Sequence, residues 1–215
     1  MHKYYIEFID VLLWIEFFAA LTGIFYFRSL KNSYWKWFSI YLVLIFIQEF
    51  FWFLFSDHFS PTIKHGYFGV FGIPVQFIFL FWLYAFKSLK NKKLFLICTL
   101  IYGITIPLYI EKISVILSVN YAVGTTIIMI LVLLEFIKQI RNDEIVRFKE
   151  NKMFYINIGV ILFYIGTYPF FAFYETFFNN YVDLYNAYVL YFRISSFLIY
   201  LLYIASFVWG KHRIS

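Results

Sequence analysis

The chain has one cysteine, four prolines and nine glycines in 215 residues, and only 14% of it is charged. The lone Cys98 excludes an intrachain disulfide and leaves the redox compartment open. A typical globular domain is roughly one quarter charged, so the shortage of charge excludes an ordinary soluble surface. No glycine-rich phosphate loop, serine-nucleophile motif or DxxxD-type acidic motif for prenyl transfer occurs. The histidines, His2, His58, His65 and His212, stand at chain ends or in loops, and nothing resembles an HExxH or three-histidine zinc site. The last apolar segment has no lysine in its middle to which retinal could be attached. The sequence therefore points to no metal, cofactor or catalytic residue, and favours a non-enzyme. An acid or base role for Glu49 or Glu16 inside the membrane is the residual enzymatic alternative.

What the chain does have is apolar: 63% of residues are hydrophobic and 27% aromatic. A membrane-crossing helix needs about 20 mostly apolar residues. Segments that meet or approach this are Tyr5–Phe27, Trp35–Phe55, Gly66–Phe86, Leu94–Ile110, Ser114–Ile137, Met153–Tyr174 and Ala187–Trp209. The expected fold is a single domain, an all-α bundle of seven transmembrane helices over residues 1–215. The first segment is too long for a cleaved signal peptide and carries Asp10 and Glu16.

Charge sets the expected orientation. Arg28, Lys31, Lys36, Lys87, Lys90, Lys92, Lys93, Lys138, Arg141, Arg147, Lys149, Lys152, Lys211 and Arg213 flank alternate loops and the C-terminus, against Lys3, Lys64 and Lys112 on the other side. The positive-inside rule then predicts an external N-terminus and a cytoplasmic C-terminus. The net charge of +6 is read as a match to anionic lipid headgroups and not to nucleic acid. The expected partners are the bilayer, a small polar ligand and, because the loops are short, a cytoplasmic protein that would carry any signal. Within the fifth loop, Asp143 and Glu144 can meet Arg147 at helical spacing, which suggests an extension of the flanking helices.

Pro74 and Pro169 fall inside the third and sixth segments and free the carbonyls of Val70 and Ile165. Either an ordinary kink or a hinge beside a polar cavity would follow. Gly66, Gly69 and Gly72, Ala20 with Gly23, and Gly159 with Gly166 mark faces where helices can approach closely.

Polar groups at membrane depth are few: Glu16, Gln48, Glu49, Gln76, Glu135 and Arg193. Each charge near a helix centre costs about 2.5–3.5 kcal/mol on insertion scales. At about 1.5 Å per residue, Arg193 and Glu49 both lie roughly 10 Å from the outer boundary, which makes them natural partners. On the last segment Asn186, Arg193, Ser196, Tyr200 and Tyr203 share one helical face, as do Asn157, Tyr164, Tyr168 and Glu175 on the sixth. Both stripes are expected to face the bundle interior. The candidate site is Glu49, Arg193, Gln76, Tyr168, Glu16 and Ser196, forming either an outward-facing pocket or an internal ion pair that fixes register. Glu135, close to the cytoplasmic boundary, is expected to snorkel and has no assigned role.

The stretches "SIYLVLIFIQEFFWFLF" with Glu49 and "GYFGVFGIPVQFIFLFWLYAFKSLK", together with "INIGVILFYIGTYPFFAFY" and "SSFLIYLLYIASF", resemble a family of small seven-span membrane proteins common in Bacteroidetes. In that family the second span carries a glutamate, matched by Glu49, while the Asn-rich outer loop before the third span is replaced by His65-Gly66. The resemblance implies the seven-span fold and a bacterial inner membrane, and it implies no activity. Three functional readings follow: a sensor or binder of a small solute, a transporter or pore, and a membrane-perturbing accessory or effector protein, as in antiphage defence.

Overall fold

The computed structural model describes residues 2–107 and 119–210, with the side chains of 2–10, 56 and 175 left aside. The described residues are helical throughout, joined by short turns and without a strand. The principal helices are α1 (His2–Phe27), α2 (Trp35–Phe55), α3 (Pro61–Ser88), α4 (Lys92–Thr105), α5 (Val119–Arg141), α6 (Lys152–Ala172), α7 (Tyr174–Asn180) and α8 (Val182–Val208). Five of these, α2, α3, α5, α6 and α8, are long and apolar enough to cross a membrane. The apolar stretch of α1, Val11–Phe27, is shorter, and α4 has 14 residues.

Local chemistry accounts for the helix starts. Ser60 accepts from the Ile63 amide at 3.4 Å, with Pro61 as the first helical residue of α3. Asn91 accepts from Leu94 N–H at 2.9 Å and Asn151 from Met153 N–H at 3.0 Å, capping α4 and α6. α3 thus begins five residues before the Gly66 boundary expected from hydropathy, because a polar cap can start a helix outside the apolar run. α8 likewise begins at Val182, ahead of Ala187. The expected end of the fourth segment, Ile110, and the start of the fifth, Ser114, lie outside the described residues.

The 141–152 connection departs from expectation. α5 stops at Arg141, Asp143 turns left-handed at φ 53°, and Glu144–Glu150 forms a tight 3-10 turn with Arg147 off helical geometry. It is a separate turn and not an extension of the flanking helices.

Both intrahelical prolines are preceded by widened π-helical turns, Phe68–Gly72 before Pro74 and Ile161–Ile165 before Pro169. A proline denies its i−4 carbonyl a partner, and a widened turn redistributes the remaining bonds. At the first, Asn120 Nδ2 donates to the Gly69 carbonyl at 3.2 Å. Proline is accommodated here by a side chain from another helix.

The chain divides into two compact units. The first comprises residues 1–54, 143–163 and 189–215, and the second 55–142 and 164–188. In the first unit, α1 and α2 run antiparallel through a close contact: a Cβ on Gly23 would stand 3.3 Å from Ser39 Cα. Gly159 gives α6 a similar approach to Ile199 on α8. Phe38, Tyr203 and Phe207 pack ring against ring in its core. In the second unit Phe77 occupies the centre, touching Phe81, Tyr102, Tyr121 and Tyr164. Gly124 is required there, since its Cβ would lie 2.8 Å from the Phe77 ring. Large apolar side chains such as Phe25, Leu100, Ile104, Leu133 and Ile194 are exposed along the helices. So much outward-facing apolar surface suits hydrocarbon and not water.

Candidate functional site

In the first unit the register of α1 and α2 follows from their short connection and the Gly23–Ser39 contact. It packs Phe17 on Phe46 at 5.4 Å and brings Glu16, the residue before Phe17, within electrostatic reach of Glu49, three residues beyond Phe46. Glu16 is only 4% exposed. Its carboxylate accepts a hydrogen bond from the Tyr200 phenol of α8 and lies within electrostatic reach of Glu49. Tyr200 is also within reach of Glu49, Tyr41 and Tyr203. Two carboxylates and three phenols from α1, α2 and α8 therefore gather in one region of the first unit. Arg193 is half-buried on α8, about two helical turns before Tyr200. Ser196 is buried and donates to the Phe192 carbonyl of its own helix at 2.7 Å.

Gln76 and Tyr168 belong to the second unit. The Gln76 amide oxygen accepts from the Tyr164 hydroxyl at 3.3 Å, and Tyr168 is half-buried on α6. The expected inward stripes hold for Ser196 and Tyr203 on α8 and for Asn157 and Tyr164 on α6, all of which are buried. Asn186, at the start of α8, is exposed. The side chain of Glu175 lies outside the described set.

Two polar groups, Glu135 and Lys152, escaped the reading by pattern, and a third, Asn157 of the expected α6 stripe, has a setting the pattern did not show. Glu135 does not snorkel: it is fully buried. Ser88 Oγ donates to its Oε2 at 2.6 Å and Gln139 Nε2 to its Oε1 at 3.0 Å, while Lys138 Nζ reaches Oε1 at 3.3 Å and Ser88 Oγ at 2.8 Å. The i, i+3, i+4 grouping of Glu135, Lys138 and Gln139 is the signal that marks it. Lys152, at the start of α6, is 5% exposed. Its ammonium donates to the Ser206 carbonyl at 2.9 Å and lies 5.3 Å from the Phe207 ring centre and 5.9 Å from that of Trp35. Asn157 is fully buried, and neither carboxamide atom has a hydrogen-bond partner among the described residues.

No protein-family model, curated protein or solved structure matches this chain.

Proposed function

We propose that this is a seven-span integral membrane protein of a bacterial inner membrane, with its N-terminus outside, that binds a small polar solute carrying a positive group. The observation that carries the reading is the convergence of Glu16 and Glu49 with Tyr200 in the first unit. Carboxylates placed close together inside a membrane repel, and a bound cation relieves that repulsion. Arg193 lies half-buried on the same helix as Tyr200, and its positive charge suits a ligand that also carries an acidic group. Phenols complete such a site, since each presents an aromatic face to a cation and a hydroxyl to an acceptor. The short connections leave signalling to a separate cytoplasmic partner. The cation asymmetry of the loops supports the orientation, and the quoted segments support kinship with the small seven-span proteins.

Thermal unfolding in lipid nanodiscs against a panel of monoamines, polyamines and amino acids tests the reading. At least one member is expected to raise Tm, and Glu16→Gln with Glu49→Gln is expected to abolish the rise. A panel without effect on the native chain, or a rise kept by the double variant, would contradict it.

A further inference from the structure

The second unit contains more hydroxyl groups than its internal hydrogen bonds use. Tyr84 and Tyr102 are fully buried, Tyr121 is 9% exposed and Thr125 is fully buried. The Tyr84 and Tyr102 hydroxyls have no hydrogen-bond partner among the described residues, and the Tyr121 hydroxyl has only the hydroxyls of Thr125 and Thr167 within its reach. Phenylalanine or valine would fill the same volumes without stranding a polar atom, and an unpartnered hydroxyl in a low-dielectric interior is strongly disfavoured. Buried hydroxyls in this position are ordinarily satisfied by internal water.

These groups are not scattered. The rings of Tyr102, Tyr121 and Tyr164 all pack on Phe77, at 5.3, 5.6 and 5.5 Å between centres. Tyr164 donates to Gln76, and buried Thr167 lies one turn further along α6. Two turns after Phe77 on the same face of α3 comes Tyr84, then Ser88, which donates to Glu135. The Tyr84 hydroxyl stands within electrostatic reach of both Tyr164 and Glu135. At the far end Lys138, with its side chain 28% exposed, bonds both Ser88 and Glu135. From Tyr121 to Glu135 along α5 the rise is about 21 Å, against a hydrocarbon thickness of about 30 Å.

We propose that this series is a proton path through the second unit, running Tyr121–Thr125–Tyr164–Tyr102–Tyr84–Glu135 with internal water bridging the phenols and Gln76 holding the Tyr164 hydroxyl in place. A hydroxyl suits this because it both donates and accepts. Each releases its own proton to the next oxygen as it takes one from behind, so the chain is unchanged after a transfer and is reset by rotation of the O–H bonds. Glu135 accepts the proton at one end and, once the Ser88 hydroxyl has rotated to accept from it, releases it through Ser88 to water beside the part-exposed Lys138, whose ammonium donates to both groups and takes no proton itself. The inference rests on the second unit alone and is independent of the carboxylate cluster in the first.

The test is proton flux into liposomes containing the full chain, driven by a valinomycin-clamped potassium gradient and read by an internal pH dye. The native chain is expected to acidify the interior faster than protein-free liposomes. Tyr84→Phe and Tyr164→Phe, which keep the rings, are each expected to lower the flux about tenfold, while Tyr155→Phe on the first unit leaves it unchanged. If the phenol variants fail to fold, Thr125→Val and Gln76→Leu carry the same expectation. Flux equal to protein-free liposomes, or undiminished flux in the folded variants, would overturn the proposal.

Discussion

At the scale of single residues, the most constrained group is Glu135, whose two oxygens are both occupied by donors inside the protein. Removing one donor leaves a buried acceptor exposed to a low-dielectric surround. Ser88→Ala is therefore expected to lower stability by about 1–3 kcal/mol, whereas Lys93→Ala, at an exposed position near the start of α4, should fall within the scatter of surface changes; denaturation in nanodiscs reads both. Lys152 makes the complementary case, because its side chain is buried while its ammonium faces the Trp35 and Phe207 rings and makes one backbone hydrogen bond. Lys152→Met keeps the stem and should be milder than Lys152→Ala, which loses it. For the proposed ion pair, Arg193→Leu should destabilise because it strands the half-buried Glu49, and adding Glu49→Leu should recover part of the loss. Strict additivity of the two changes would remove the pair from the account. Glu16 and Glu49 could be singled out from the sequence because carboxylates are conspicuous among Phe, Ile and Leu. Their closeness to each other could not, since it depends on which helices adjoin and in what register.

At the scale of elements, hydropathy located the long helices, because a run of some twenty apolar residues has few alternatives to a helix in lipid. The boundaries shifted where polar chemistry took over: Ser60 with Pro61 opens α3 early, and the left-handed Asp143 breaks the helix that charge spacing alone would continue. The prolines foretold irregular backbone at the right places, but its form, a widened turn repaired by Asn120 in one case, depends on a distant residue. Small residues were a partial guide. Gly23 and Gly159 do sit at close helix contacts, yet Gly124, with Phe77 at 2.8 Å from its missing Cβ, has no small neighbour at a motif spacing and went unnoticed. Gly124→Ala should cost about 1–3 kcal/mol as overpacking, and Phe77→Leu in the same chain should restore part of it. Equal losses in the single and double variants, measured as Tm in nanodiscs, would mean that the ring is not what limits the site.

At the scale of the whole molecule, the chain is an all-helical protein with five described helices able to cross a membrane and apolar side chains turned outward along them. Its composition alone dictated that class. Which units the helices form was not legible, because the division falls inside α6, between Phe163 and Tyr164, and inside α8, between Tyr188 and Val189, with no change of composition at either point. The central claim is that the polar groups around Glu16, Glu49 and Tyr200 form a solute site open to the outside and not a closed internal brace. The most direct measurement replaces Cys98 with alanine and places one cysteine at Ser196, on the helix that carries Arg193 and Tyr200. Intact cells are then treated with a membrane-impermeant thiol reagent, with cysteines at Gln76 and Tyr168 as companions. Labelling of Ser196→Cys from outside, slowed by any solute that raises Tm, is the predicted result. Failure of Ser196→Cys to label in a folded, correctly inserted protein would contradict the account and make the cluster internal packing.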